Sequence, residues 1–282
     1  SGLISEEIAE LSAIWPKISS SRRSQIIAKI VGMAEESVEL DFTPVFKLAL
    51  RDGNEDVKET AIAGLWECED RPLISTFINL LRFDHSEKVR SAAAQALGKF
   101  AVLAEDKKLL SQDGDRVRQT LLALFNDETQ SLEVRRRSLE SLSPFNDQEI
   151  KTLIRWAYED PSPKLRESAL FAMGHNADPQ WLPTIVKEMS SNSPAIRYEA
   201  ASACAGLGEE AAIPYLIPLV QDDDLQVRLS AIRSLGAIGG GAAKKVLIQC
   251  LRSPDETVQD AVRRALEAVE YNEDPLSFIR ST

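Results

Sequence analysis

The sequence predicts an all-α solenoid of about eight antiparallel helix pairs, and three observations carry that reading. One ten-residue string recurs seven times at an almost constant period. Every copy places its apolar residues on one face of a helix. The chain is rich in Ala and Leu but only 6% aromatic, which suits thin helical layers better than one thick core. The string reads VKETAIAGLW from Val57, VRSAAAQALG from Val89, VRRRSLESLS from Val134, LRESALFAMG from Leu165, IRYEAASACA from Ile196, VRLSAIRSLG from Val227 and VQDAVRRALE from Val258. These anchors lie 32, 45, 31, 31, 31 and 31 residues apart, and self-similarity at a fixed period of this length marks a chain of stacked supersecondary units.

Taken in order, Ser5 to Trp15 and Ser20 to Glu36 read as two amphipathic helices, an N-terminal capping pair within residues 3–38. The second carries Arg22, Ile26 and Ile30 without the small residues of the later copies, as suits the end of a stack. Seven repeats follow over 41–270. In each, the anchor and the residues four and eight further on are apolar or small, the spacing of one helical face, and this is helix B. Seven residues after the anchors stand Gly64, Ala96, Ser141, Ala172, Ala203, Ser234 and Ala265, small enough for neighbouring helices to approach closely. Upstream of the anchors, Pro72 to Arg82, Glu149 to Tyr158, Trp181 to Met189 and Ala212 to Val220 are further amphipathic segments, helix A. Pro44, Pro183 and Pro214 fall near its first turn, where a missing N–H costs nothing.

The turn between the two helices offers Asp52, Asp84, Asp160 and Asp222 five residues before the anchor, with Asp127 slightly earlier in its repeat. Directly after the anchors come Lys58, Arg90, Arg135, Arg166, Arg197 and Arg228. A carboxylate column facing a guanidinium column is expected to bridge turns between repeats, so that losing Arg166 or Arg197 strands a partner. The long interval between Val89 and Val134 holds about 14 extra residues, mostly in 101–116, and the polar stretch EDKKLLSQDGD is expected to form a lengthened helix followed by an exposed loop. Residues 271–282 are expected to be a C-terminal tail, and 1–282 a single solenoid domain. The opening Ser1-Gly2 reads as a cleavage scar.

Paired helices, a period near 31, the Asp and Arg columns and the early Pro resemble HEAT repeats, particularly the short bacterial type found in phycobilisome lyase subunits. The resemblance covers about Asp41 to Glu270 and implies a right-handed superhelix. It also implies an alternative activity, that of a bilin lyase or bilin chaperone. Another branch of the family, the di-iron hydroxylases such as deoxyhypusine hydroxylase, uses repeated His-Glu pairs; here the neighbours are His85-Ser86 and His175-Asn176, so that carry-over fails.

Composition narrows the function further. The net charge is −11, and the stretches before and after Pro144 carry −5 and −6, so neither half is a basic arm for nucleic acid. Cys68, Cys204 and Cys250 are widely spaced, which suggests neither a disulfide framework nor a thiolate metal site and fits a reducing, cytoplasmic setting. Cys204 takes a core position as a small apolar residue. The longest apolar run, Ile213 to Val220, contains Pro214 and Pro218 and is far short of a membrane span. Gly239-Gly240-Gly241 falls between repeats and reads as a tight turn, and Asp222-Asp223-Asp224 as a turn that starts helix B. No motif for a nucleophile, a phosphate loop or a metal stands out, so the expectation is a non-enzymatic, bacterial-type scaffold that takes no cofactor and binds a protein or peptide.

The concave surface lined by helix B is the expected site. Residues two, three, six and ten after each anchor should face it, and in the middle repeats these rows carry Arg136, Arg137, Glu167, Phe171, His175, Tyr198 and Leu229. Exposed aromatics flanked by charge are common interface anchors.

Overall fold

In a computed structural model of the chain, residues 4–36 and 40–273 are described, and the expected helix pairs form in the expected order. Residues 1–3, with the Ser1-Gly2 pair expected to be a scar, residues 37–39 and residues 274–282 of the expected tail lie outside the described residues. The chain divides into two compact units, Ser1–Leu142 and Ser143–Thr282. The first contains α1 (Ser5–Ile14), a 3-10 turn (Trp15–Lys17), α2 (Ser20–Glu36), α3 (Thr43–Ala49), α4 (Glu55–Gly64), α5 (Pro72–Phe83), α6 (Glu87–Glu105), α7 (Ser111–Asn126) and α8 (Leu132–Leu142). The second contains α9 (Gln148–Glu159), α10 (Pro163–Asn176), a 3-10 turn (Pro179–Trp181), α11 (Leu182–Glu188), α12 (Pro194–Leu207), a 3-10 turn (Glu210–Ala212), α13 (Ile213–Leu219), α14 (Leu225–Ile238), α15 (Gly240–Cys250) and α16 (Glu256–Glu273). The even-numbered helices are the B helices. In the first unit α4 packs on α6 and α6 on α8; in the second α10, α12, α14 and α16 pack in sequence.

A polar cap three residues before the anchor sets where helix B begins. Asn54 Oδ1 accepts the Val57 N–H at 3.1 Å and Asp224 Oδ1 the Val227 N–H at 3.2 Å, while Ser86, Ser131, Ser162 and Asp255 do the same for Val89, Val134, Leu165 and Val258 at 3.4–3.5 Å. Each such cap satisfies an orphan N–H and is worth roughly 1 kcal/mol. Beyond the cap, the expected face is the core: Val89, Ala93 and Leu97, or Val227, Ala231 and Leu235, are fully buried.

The small residues work in pairs. An added Cβ on Gly174 would lie 2.6 Å from the Ala203 Cα, one on Gly236 2.8 Å from the Ala265 Cα, and one on Gly98 2.9 Å from the Ser141 Oγ. These three glycines stand nine residues after their anchors, and their contacts stand seven after the next, so the helices meet backbone to backbone at Gly174 and Gly236, while at Gly98 the Ser141 side chain fills the space.

The Asp column folds its own turn and, at some junctions, joins the previous repeat. Asp222 accepts the Asp224 N–H at 2.9 Å and both guanidinium nitrogens of Arg197 at 2.7 Å, and Arg197 also reaches the Ser191 carbonyl at 2.8 Å. Lys58 pairs with Asp84. The cap joins the same ladder through Arg23, which donates to Asp52 at 2.6 and 2.9 Å beside the Trp15 indole N–H at 2.7 Å. The ladder is uneven where the facing turn lacks the carboxylate. Arg166 precedes a turn carrying Ser191 and makes no ion pair among the described residues, so the expected penalty for its loss does not apply. Arg90 binds the carbonyls of Asp84 and His85 in its own turn, and its buried Nε has no partner among the described residues.

The extra residues after Val89 differ from the expected exposed loop. Helix α6 is lengthened as expected, but only 106–110 form the turn, and α7 already starts at Ser111. The reason is packing. Phe100, Ala101 and Val117 are fully buried, Gly114 sits against Ala104, and buried Asp113 receives Arg71 from the turn before α5. The segment is a helical hairpin tip, and excising 105–114 would cut into helix rather than trim a loop.

Three outcomes are expected in thermal melts. Arg197→Ala lowers stability by about 1–3 kcal/mol, whereas Arg166→Ala overlays the parent. Gly174→Val costs about 1–3 kcal/mol or more, because backbone on the facing helix cannot yield as a side chain tip can. The third concerns acid. Arg197 and the Asp224 N–H hold the Asp222 carboxyl below the ordinary carboxylate range against the opposing effect of burial. For Asp52 and Asp84 burial pushes upward, but Arg23, Lys58 and the turn N–H groups outweigh it. A carboxyl with a depressed folded pKa stabilises fully above its unfolded value of about 3.9 and loses that contribution as pH falls through the folded value. Melting temperature should therefore hold from neutral pH to about 5 and fall below about 4, and Asp222→Asn should start lower and fall less steeply; parallel profiles would refute the linkage.

Candidate functional site

The helix B face of the second unit gathers most of the expected residues. On α10, Phe171 and His175 lie one turn apart and stack at 3.9 Å with an 18° angle between rings, and His175 Nδ1 sits 3.1 Å from the Phe171 carbonyl oxygen. Glu167, a turn earlier, takes Lys164 at 2.9 Å. On α12, the Tyr198 ring lies 5.9 Å from the Arg233 guanidinium of α14, and its hydroxyl accepts from Arg233 at 3.2 Å. Leu229, also on α14, lines a groove of about 520 Å³ with Gln226, Arg233, Ala237, Ala261 and Arg264. Phe171, Tyr198 and Leu229 are all half-buried. The alanines make a floor on which an apolar side chain can lie, and the two guanidinium groups flank it.

Arg233 thus links Tyr198 to Leu229, and the sequence reading passed over it. Its signal was available: it stands six residues after Val227, the same row that Phe171 occupies after Leu165. Arg264 stands in that row after Val258.

Arg136 and Arg137 belong to α8 in the first unit, apart from the other five. Arg136 meets Glu133 at 2.7 Å, and Arg137 meets Glu133 at 2.9 Å and Glu140 at 2.8 Å. Their charges are matched along their own helix, the charged-face reading of the Arg135 to Arg137 run. Arg135 itself donates to the Phe125 carbonyl at 2.9 Å.

The remaining sequence features take structural places. Burial pushes the Cys204 thiol up to about 12, and the thiol donates to the Ala200 carbonyl within its helix. Asp224 caps α14, and Gly239 and Gly240, at φ of 72° and 78°, make the turn into α15 that only glycine adopts freely. Asn176, missed in the sequence, is buried and ties three strands of chain together: its amide donates to the Ser143 and Phe145 carbonyls at 3.0 and 3.1 Å and its oxygen accepts the Trp181 indole N–H at 2.9 Å. Among the described residues no group of three or more His, Cys, Asp or Glu side chains could hold a metal ion, and no helix is long and apolar enough to cross a membrane.

Repeated helix pairs, packed B helix on B helix within each unit, define an α-solenoid of the HEAT and armadillo class. The chain belongs to the HEAT-repeat family, whose model matches residues 43–143, 150–226 and 182–267. No curated protein is significantly similar in sequence. Among solved structures, the complex of CpcE and CpcF of phycocyanin lyase from Nostoc sp. PCC7120 is similar with a TM-score of 0.51 and 18% identity, covering 81% of this chain and 95% of that one. Kap95p, solved with RanGDP, matches with a TM-score of 0.50 and 14% identity over 80% of this chain and 35% of its own. Human deoxyhypusine hydroxylase matches at 0.42 and 18% over 94% and 96%. At these identities the likeness is one of fold.

Replacing the half-buried Phe171 or Tyr198 by Ala should lower stability by no more than about 1 kcal/mol each. Trp181→Ala, which empties a fully buried site and leaves the Asn176 side-chain oxygen without its donor, should cost about 3–5 kcal/mol. Chemical denaturation measures both, and equal losses would make Phe171 and Tyr198 core residues.

Proposed function

We infer that the protein is a non-enzymatic scaffold or adaptor that binds a protein or peptide segment along its helix B faces. The supporting observation is the second unit's groove, where an alanine floor beside Leu229 lies between Arg233 and Arg264 and next to Tyr198. An apolar base with a few fixed polar groups at its edge is how interfaces anchor a partner. A stack whose repeats touch only their neighbours offers that surface without needing a catalytic pocket. The three free thiols suit a cytoplasmic, bacterial-type setting.

A photo-crosslinking residue placed at Leu229, compared with one at Lys187 on the helix A side, tests the reading in native lysate. Defined adducts from position 229 and none from position 187 are expected; the reverse pattern would refute it. The likeness to the CpcE and CpcF complex supports a second reading, a bilin lyase or bilin chaperone. Mixing the protein with phycocyanobilin separates the two, since a shifted visible absorbance band is expected only under the second.

A further inference from the structure

The first unit carries a different groove on its own B helices. It encloses about 540 Å³ between α4, α6 and α8 and is lined by Glu55, Glu59, Glu87, Glu133, Lys88 and Arg137, with Ser91 at its base. The two cations are already matched. Lys88 donates to Asp56 at 2.8 Å and lies 2.9 Å from Glu59, and Arg137 is held by Glu133 and Glu140. Asp56 first and then Glu59 keep the Lys88 ammonium protonated well above the ordinary lysine range, a sign of the local negative field. Exposed Glu55 accepts a hydrogen bond from the Ser86 hydroxyl, and exposed Glu87 has no ion pair among the described residues. The groove therefore keeps carboxylates in excess.

Ser91 points to an occupant. It is only 9% exposed, and its Oγ has no hydrogen-bond partner among the described residues. A buried hydroxyl left unpaired costs about 1–3 kcal/mol, and such groups are uncommon unless something supplies the missing bond. A peptide backbone crossing the groove can do so with its N–H or its carbonyl.

We propose that this groove binds an extended basic protein segment, its Lys or Arg side chains meeting Glu55, Glu59 and Glu87 on α4 and α6 while its backbone pairs with Ser91. The spacing follows from geometry. Packed helices lie about 8–10 Å apart, and a chain in the polyproline-II conformation advances about 3.1 Å per residue and returns every third side chain to the same face, so cations three residues apart match the repeat.

This proposal rests on reading the B helix faces as binding surfaces, and its test uses the other unit as the independent arm. A fluorescent peptide of about 12 residues, with Lys at every third position among Gly and Ser, is titrated into the full chain and followed by anisotropy, beside the same peptide carrying Glu. The basic peptide should bind, more weakly as salt rises, and the acidic one should not. Glu55→Gln with Glu87→Gln should weaken binding about tenfold with an unchanged melt, and Ser91→Ala should weaken it without destabilising the fold. No binding of the basic peptide, equal binding of both peptides, or equal affinity in the double variant would overturn the proposal. If the peptide fails while crosslinking at position 229 still captures a partner, this inference alone falls.

Discussion

Everything in this chain depends on how closely consecutive B helices approach. Where Gly174 faces Ala203, Gly236 faces Ala265 and Gly98 faces Ser141, there is no room for even a methyl group. That contact sets the distance at which the next anchor residue can be buried and the width of the grooves left on the outer side of the B helices. The grooves are shallow and floored by Ala and Ser for the same reason.

Holding the junctions through backbone contact also frees the remaining positions to vary. The ladder is complete at Arg197 and Asp222, substituted by Lys58 at Asp84 and missing its carboxylate opposite Arg166, yet each of these repeats keeps its buried face. The two units use this freedom differently. The first places carboxylates on its B helices, while the second places aromatics and arginines there, so a single architecture presents two chemically distinct surfaces.

The repeat, the eight helix pairs and the buried face were legible in the sequence because they are periodic, and a period of about 31 residues superimposes seven readings of each position. The cap column at Asn54, Ser86, Ser162 and Asp224 was equally periodic but varied in residue type, so only its hydrogen bonding reveals that it is one feature. What is not periodic was not legible. Asn176 holds Trp181 and two carbonyls in one repeat only. The match of Arg233 to Tyr198 depends on the offset between two helices, which no single copy of the string contains. The end of the hairpin tip within 101–116 looked like a loop because its polar residues outnumber its apolar ones, although Ala101 and Leu103 pack and buried Asp113 lies in the first turn of the next helix.

That hairpin lengthens α6 and α7 beyond Gly98, on the far side of the point where α6 meets Ser141 on α8. The added turns are antiparallel to one another and pack on each other through Ala101, Leu103 and Val117, so they change neither the phase of the next anchor nor the contact that positions it. Length at that end of a helix pair is thus an independent variable of the architecture: a repeat can grow a finger there without the rest of the array having to be refitted, and the departure from period is absorbed inside the repeat that carries it.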